Sequence, residues 1–153
     1  MKFIVQKDNL SDGSINALLE SHLQEMYQHS PPESVHALKS NDRKDTTITF
    51  WSARINGVLA GCGALKEISA SQGEIKSMKT NRLFLRKGVA SAVLEEILQE
   101  AKRRNYREVK LETGSSEPFT PAVTLYRQYG FKPCNPFANY REDPHSLFLS
   151  KQI

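Results

Sequence analysis

The chain has 153 residues, 39% hydrophobic and 25% charged, a length and make-up that point to one soluble domain (1–153) with a single core. The opening run MKFIVQKDNL is too short for a signal peptide and no later apolar run could span a bilayer, so the expectation is a cytoplasmic protein without a membrane partner. Net charge is +4, with a pI near 9.1, which suits a polyanionic ligand or nucleic acid without choosing between them. Cys62 and Cys134 form no CxxC pair and read as two reduced, partly buried thiols.

In chain order, KFIVQK reads as a short first strand. SINALLESHLQEMY then sets Ile15, Leu18, Leu19, Leu23 and Met26 at helical spacing, and Pro31 and Pro32 stop that helix. SVHALKSNDRKD reads as a short helix or ordered loop. TTITFWSAR and VLAGCGALKEI flank Asn56-Gly57, a strong hairpin signal because both residues accept positive φ. The two glycines of GCG at 61–63 mark close backbone packing inside a strand. GEIKSMKT is a further strand. GVASAVLEEILQEAKRRN carries Val89, Val93, Ile97 and Ala101 on one helical stripe, widened by Leu94 and Leu98. REVKLETG is the next strand. TPAVTLYRQYG is a helix with Thr120 as N-cap, Pro121 in the first turn and Gly130 at the stop. HSLFLSK is the last strand, with an additional strand near Phe131. The order, three meandering strands followed by two strand-producing βα units, gives a mixed α/β sheet with helices on its faces.

The entry to the second long helix is unusual. Leu85, Arg86 and Lys87 precede Gly88, and none of those side chains can accept bonds from the free N–H groups of a helix start. Solvent is one partner for those groups. An external anion is the other, since a glycine lets phosphate oxygens approach the backbone while Arg86 and Lys87 add charge. There is no GxxxxGK[ST] and no GxGxxG after a strand, so the usual nucleotide loops are excluded. The second basic cluster, Lys102, Arg103, Arg104, Arg107 and Lys110, reads as a solvated face.

GEIKSMKT, LRKGVA opening a helix, VKLETG and AVTLYRQYGF together resemble the core of the GNAT superfamily of acyl-CoA-dependent N-acetyltransferases. The resemblance covers residues 50–133 in detail and the whole chain in element order. In the family pattern [Q/R]-x-x-G-x-[G/A], Leu85 stands in the first position, Gly88 in the fourth and Ala90 in the sixth. Leu85 departs from the usual Gln or Arg, leaving the backbone cradle as the element in common. SPPESVHAL and PFANYREDP add similarity to a bacterial branch often labelled as related to indole-acetate metabolism, although indole acetate has no amine to acetylate.

The resemblance implies a twisted, mostly antiparallel sheet of six to seven strands, splayed between 72–80 and 107–113. It implies acetyl-CoA as co-substrate and no metal. The diphosphate would sit on backbone N–H groups of Arg86, Lys87, Gly88, Val89 and Ala90, with a hydroxyl from Ser91. The pantetheine arm would pair with the backbone of Met78 and Thr80, and the Met78 N–H would polarise the carbonyl. Tyr126, in LYRQYGF, matches the family tyrosine beside the sulfur and would act as acid. Glu74 would be the base, with Glu112 and Thr113 on the adjacent strand in reserve.

The acceptor would lie among Trp51, Phe119, Phe137 and Tyr140, with Ser34, His36 or Arg141 orienting its polar groups and Glu112 facing the same cleft. His22, His29 and His36 recur every seven residues, but the prolines between the second and third break any metal ladder. The expected activity is N-acetylation of a small-molecule amine by direct attack in a ternary complex. A protein or peptide acceptor, or an acyl-CoA-binding module with little catalysis, are the alternatives. Nucleic acid ranks last, with no aromatic residues interleaved in the basic cluster, and a homodimer is left open.

Overall fold

A computed structural model describes residues 2–36 and 45–153. Much of the ordered segment expected at SVHALKSNDRKD therefore lies outside the described residues.

Among the described residues, seven strands form one sheet in the order β1-β2-β3-β4-β5-β7-β6. They are β1 (Ile4–Asp8), β2 (Ile48–Ile55), β3 (Val58–Ser69), β4 (Gln72–Thr80), β5 (Glu108–Gly114), β6 (Lys132–Pro133) and β7 (Ser146–Gln152). Only the β4–β5 pair is parallel. The crossover between these two strands is α2 (Val89–Arg103), preceded in the chain by α1 (Ser14–His29) and followed by α3 (Thr120–Gln128). The mixed, mostly antiparallel α/β fold is the one expected, and the extra strand near Phe131 is the two-residue β6. The β2–β3 hairpin turns on Asn56 and Gly57, at φ 50° and 80°, the left-handed pair that a two-residue turn requires.

Side chains alternate across β2, and the two faces receive different helices. Trp51 and Ala53 belong to the core that includes Val93, Leu94 and Ile97 of α2. Ile48 and Phe50 belong to the one that holds Ile15 and Leu19 of α1. Val93, Leu94 and Ile97 are at most 1% exposed, and each contributes about 1.5–3 kcal/mol by leaving water. The GCG stretch works as expected: a Cβ at 63 would sit 2.8 Å from Val93 and 2.9 Å from Ile97, so the glycine lets α2 lie against β3.

Two expectations change here. Thr120 is the first residue inside α3, and Phe119 occupies the N-cap position with no side-chain cap bond. Arg103 and Arg104 are not a merely solvated face, because both donate to the buried carboxylate of Glu100 at 2.9 Å. Among the described residues no helix is long and apolar enough to cross a membrane.

Candidate active site

The parallel β4–β5 pairing runs only from Gln72 opposite Glu108 to Ile75 opposite Leu111. β4 then leaves its partner because of a bulge. Against β3, Cys62 pairs with Lys79 and Ala64 with Lys76, so Ser77 and Met78 together face Gly63. Ser77 takes φ 55°. An extra residue bends the strand that carries it, and the expected splay opens where the pairing stops.

A cavity of about 100 Å³ lies in this gap, lined by Glu74, Lys76, Met78, Glu112, Tyr126 and Tyr140 among others. On one side it adjoins a groove of about 520 Å³, sharing His22, Met26, Met78, Phe119, Ala122 and Tyr126; the groove runs to Thr80, Leu85, Arg86 and Ala90. On the other it adjoins a wider basin of about 770 Å³, sharing His36, Glu74, Lys76 and Tyr140.

The far end of the groove is the start of α2. Its N-cap is Gly88 at φ 86°, with no side-chain cap bond. Arg86 is also left-handed, at φ 62°. Nothing lies within 4 Å of a Cβ built at Gly88. Backbone turned this way points successive N–H groups toward one concavity, which favours an anion. The residues present therefore fit a diphosphate. Arg86 and Lys87 are exposed beside it, and Val89 is 2% exposed, so only its backbone is available there.

The cavity holds two carboxylates in different states. Glu74 is buried, and its Oε2 accepts from Tyr140 Oη at 2.5 Å and Lys76 Nζ at 3.3 Å. Lys76 also donates to Tyr140 Oη at 2.9 Å, closing a three-member network. Among the described residues Glu112 receives one bond, from Ser146 Oγ at 2.7 Å. Burial pushes its carboxyl up to about 7; Ser146 and the charge of Lys76 pull against that rise, and the Glu74 charge adds to it. A group poised there changes protonation at neutral pH.

Burial raises the Tyr126 phenol above its ordinary range, keeping it protonated. Burial, then the Lys79 ammonium, hold His22 down at about 4, so its imidazole is neutral at the junction of cavity and groove. Lys79 is itself ion-paired to Glu25 of α1. Burial and Lys76 lower His36 as well.

The structure brings Glu74, Met78, Glu112, Tyr126, His36 and Tyr140 to the cavity, and Thr80, Arg86 and Ala90 to the groove. Other expected residues stand elsewhere. Trp51 is 1% exposed in the core that includes α2, so it cannot meet an acceptor. Phe137 is buried against the Tyr140 ring, 5.1 Å between centroids, and supports that ring from behind. Ser34 is buried and donates to Asp143 Oδ2 at 2.5 Å, tying the turn after α1 to the loop before β7. Glu74 is 4% exposed.

His22, Lys76 and Ser146 were not among the expected site residues. Lys76 had a signal, since it follows Glu74 by two in a strand and shares its face. Ser146 had none, because its partner lies 34 residues away. Among the described residues no group of three or more His, Cys, Asp or Glu side chains could hold a metal ion.

An uncapped, glycine-opened helix start at one end of a groove and titratable side chains at the other would suit an enzyme that takes its substrate from a large phosphorylated carrier. Comparison with known proteins gives the same class. Residues 15–131 match the Acetyltransferase (GNAT) family. The chain is 48% identical over 149 residues to the uncharacterized N-acetyltransferase YsnE of Bacillus subtilis (strain 168), covering 97% of this chain and 99% of that one. It is 31% identical to an IAA acetyltransferase of Azospirillum brasilense, covering 98% and 97% of the two chains. A GNAT family acetyltransferase of Elizabethkingia anophelis, whose crystal structure has acetyl-CoA bound, shares the fold at TM-score 0.73 and 19% identity, covering 99% and 98%. The chain belongs to the acetyltransferase (GNAT) family.

Proposed function

We propose that this chain transfers the acetyl group of acetyl-CoA to a small-molecule amine, by direct attack with both substrates bound, in the cytoplasm. The observation that carries the reading is spatial continuity: the groove that begins at Arg86 and Ala90 shares Tyr126 with the cavity that holds Glu112. A carrier gripped by its diphosphate at the α2 start would present its thioester beside Tyr126 and the Met78 backbone. The basin beyond His36 and Tyr140 would receive the acceptor, with Arg141 at its rim.

An aliphatic amine has a pKa of about 10 and must lose a proton before it attacks. Glu112 suits that task better than Glu74. Its carboxyl sits near neutrality and has one protein donor, whereas Glu74 is committed to Tyr140 and Lys76. In this reading Glu112 takes the ammonium proton, the neutral nitrogen forms the C–N bond as the C–S bond breaks, and the second proton that nitrogen sheds on becoming an amide restores the Tyr126 phenol. The Met78 N–H meets the charge that develops on the carbonyl oxygen, and Tyr126 gives its proton to the departing thiolate. Glu74 holds Lys76 and Tyr140 at the basin side. Indole acetate offers no amine to this chemistry, so the name of the Azospirillum relative does not define the acceptor. Every residue used here comes from one copy of the chain.

The experiment is calorimetry with acetyl-CoA, followed by thiol release across a panel of amines. Binding with amine-dependent turnover is expected, and Tyr126→Phe should lower turnover about 10²-fold or more. Binding without turnover on any amine would leave a carrier-binding module, and absence of binding would overturn the reading entirely.

A further inference from the structure

The groove and the cavity meet at Phe119, and a glycine makes that position available. Phe119 ends a 3-10 turn, Glu117–Phe119, and its N–H donates to Ser116 O at 3.0 Å. α3, with Tyr126 on it, begins at the next residue. The Phe119 ring packs against the backbone of Gly114, the last residue of β5. A Cβ at 114 would collide with ring carbons Cδ2 and Cε2 and lie 2.6 Å from Cζ. With any side chain at 114 the ring would have to stand elsewhere. From this seat it lines both the groove and the cavity, together with Met26 and Met78. Beyond it the cavity measures about 100 Å³ before it opens onto the basin at His36 and Tyr140, so with an acceptor filling that basin the space left is less than the roughly 150 Å³ that accommodates benzene. In the function proposed above, that space has to contain the acyl group and the attacking nitrogen together.

We propose that Phe119, seated on Gly114, sets the acyl length this enzyme transfers, admitting acetyl and rejecting butyryl and longer groups. The inference depends on the transfer reading for its chemistry; the balance of bonds and protons is unchanged, and only the size of the migrating group is restricted. Packed walls resist added methylenes. One methylene in such a pocket changes specificity by about 10–200-fold, so two should separate butyryl from acetyl by at least ~10²-fold.

The test compares acetyl-, butyryl- and hexanoyl-CoA on the full chain and on Phe119→Ala and Phe119→Leu. It uses kcat/KM with one accepted amine, and Kd by calorimetry without amine, each referred to free CoA. Wild type should favour acetyl over butyryl by ~10²-fold or more, and both variants should compress that ratio to about tenfold or less. Should Phe119→Ala fail to fold, Phe119→Leu retains apolar volume and reads the same ratio. Equal use of acetyl and butyryl by wild type, or an unchanged ratio in a folded variant, would overturn the proposal. If no amine is acetylated but thioesters bind, the function reading falls alone. The Kd series then decides this proposal: affinity falling with chain length in wild type and levelling in Phe119→Leu supports it, and a flat wild-type series overturns it.

Discussion

Two carboxylates, Glu100 buried and Glu112 partly buried, stand at opposite ends of this molecule's chemistry. Glu100, in the last turns of α2, accepts from Lys7 at 3.2 Å and from Arg103 and Arg104 at 2.9 Å. Burial pushes it upward, but the three cationic donors outweigh burial and hold its carboxyl at about 2. Glu112, at the splay, has one hydroxyl donor and rises to about 7. Desolvation pushes both upward. The number of charged donors differs, and that difference makes one carboxylate a fixed anchor and the other a group that can gain and lose a proton at neutral pH.

The largest expected effect comes from Glu112→Gln. If Glu112 is the base, turnover should fall about 10²–10⁴-fold, measured by thiol release. The sign of the stability change is opposite to that of most buried substitutions. A carboxylate whose folded value is raised binds more protons folded than unfolded between about 4.5 and 7, so wild-type stability falls across that window as pH rises. Glu112→Gln should therefore be more stable than wild type at pH 8, by roughly 1–3 kcal/mol, with the gap closing near pH 4.5. A variant that loses activity without that gain would break the contrast.

The same contrast predicts a pH–rate profile. In wild type, kcat/KM should climb with a bend near 7, and the bend should be absent from Glu112→Gln. Glu100→Gln is the opposite experiment. It should cost on the order of 2–3 kcal/mol, since charged hydrogen bonds are lost, and leave turnover unchanged; denaturant melts and the thiol assay read the two. Because the Glu100 carboxyl is depressed, its stabilisation is present above 4.5 and fades as pH falls toward 2. The smallest effect belongs to Ser146→Ala. Removing the one donor on Glu112 should move the kinetic bend upward, with a modest loss of rate.

Local pattern carried much of this fold. Helical spacing located α2, Asn56-Gly57 located the hairpin, and the run before Gly88 marked a helix start that has no side-chain cap. The resemblance directed Tyr126 and Glu112 to one cleft, and both line the cavity at the splay. What sequence could not supply was long-range partnership. Glu74 and Glu112 look alike along the chain, and only Tyr140, 66 residues from Glu74, and Ser146 tell them apart. Trp51 was misread because its face depends on which helix covers β2, something alternation alone leaves undecided. The basic run after Glu100 was read as solvated because its carboxylate partner lies one helical turn back, where charge counting does not distinguish a clamp from a surface.

The rims of the sheet are unequal. β6 offers two residues, one of them Pro133, which has no N–H to give. β1 offers five, beginning at Ile4, which is 64% exposed. Strand addition by a neighbouring polypeptide thus has little to grip beside the C-terminal half, while the N-terminal margin keeps a longer row of backbone donors and acceptors.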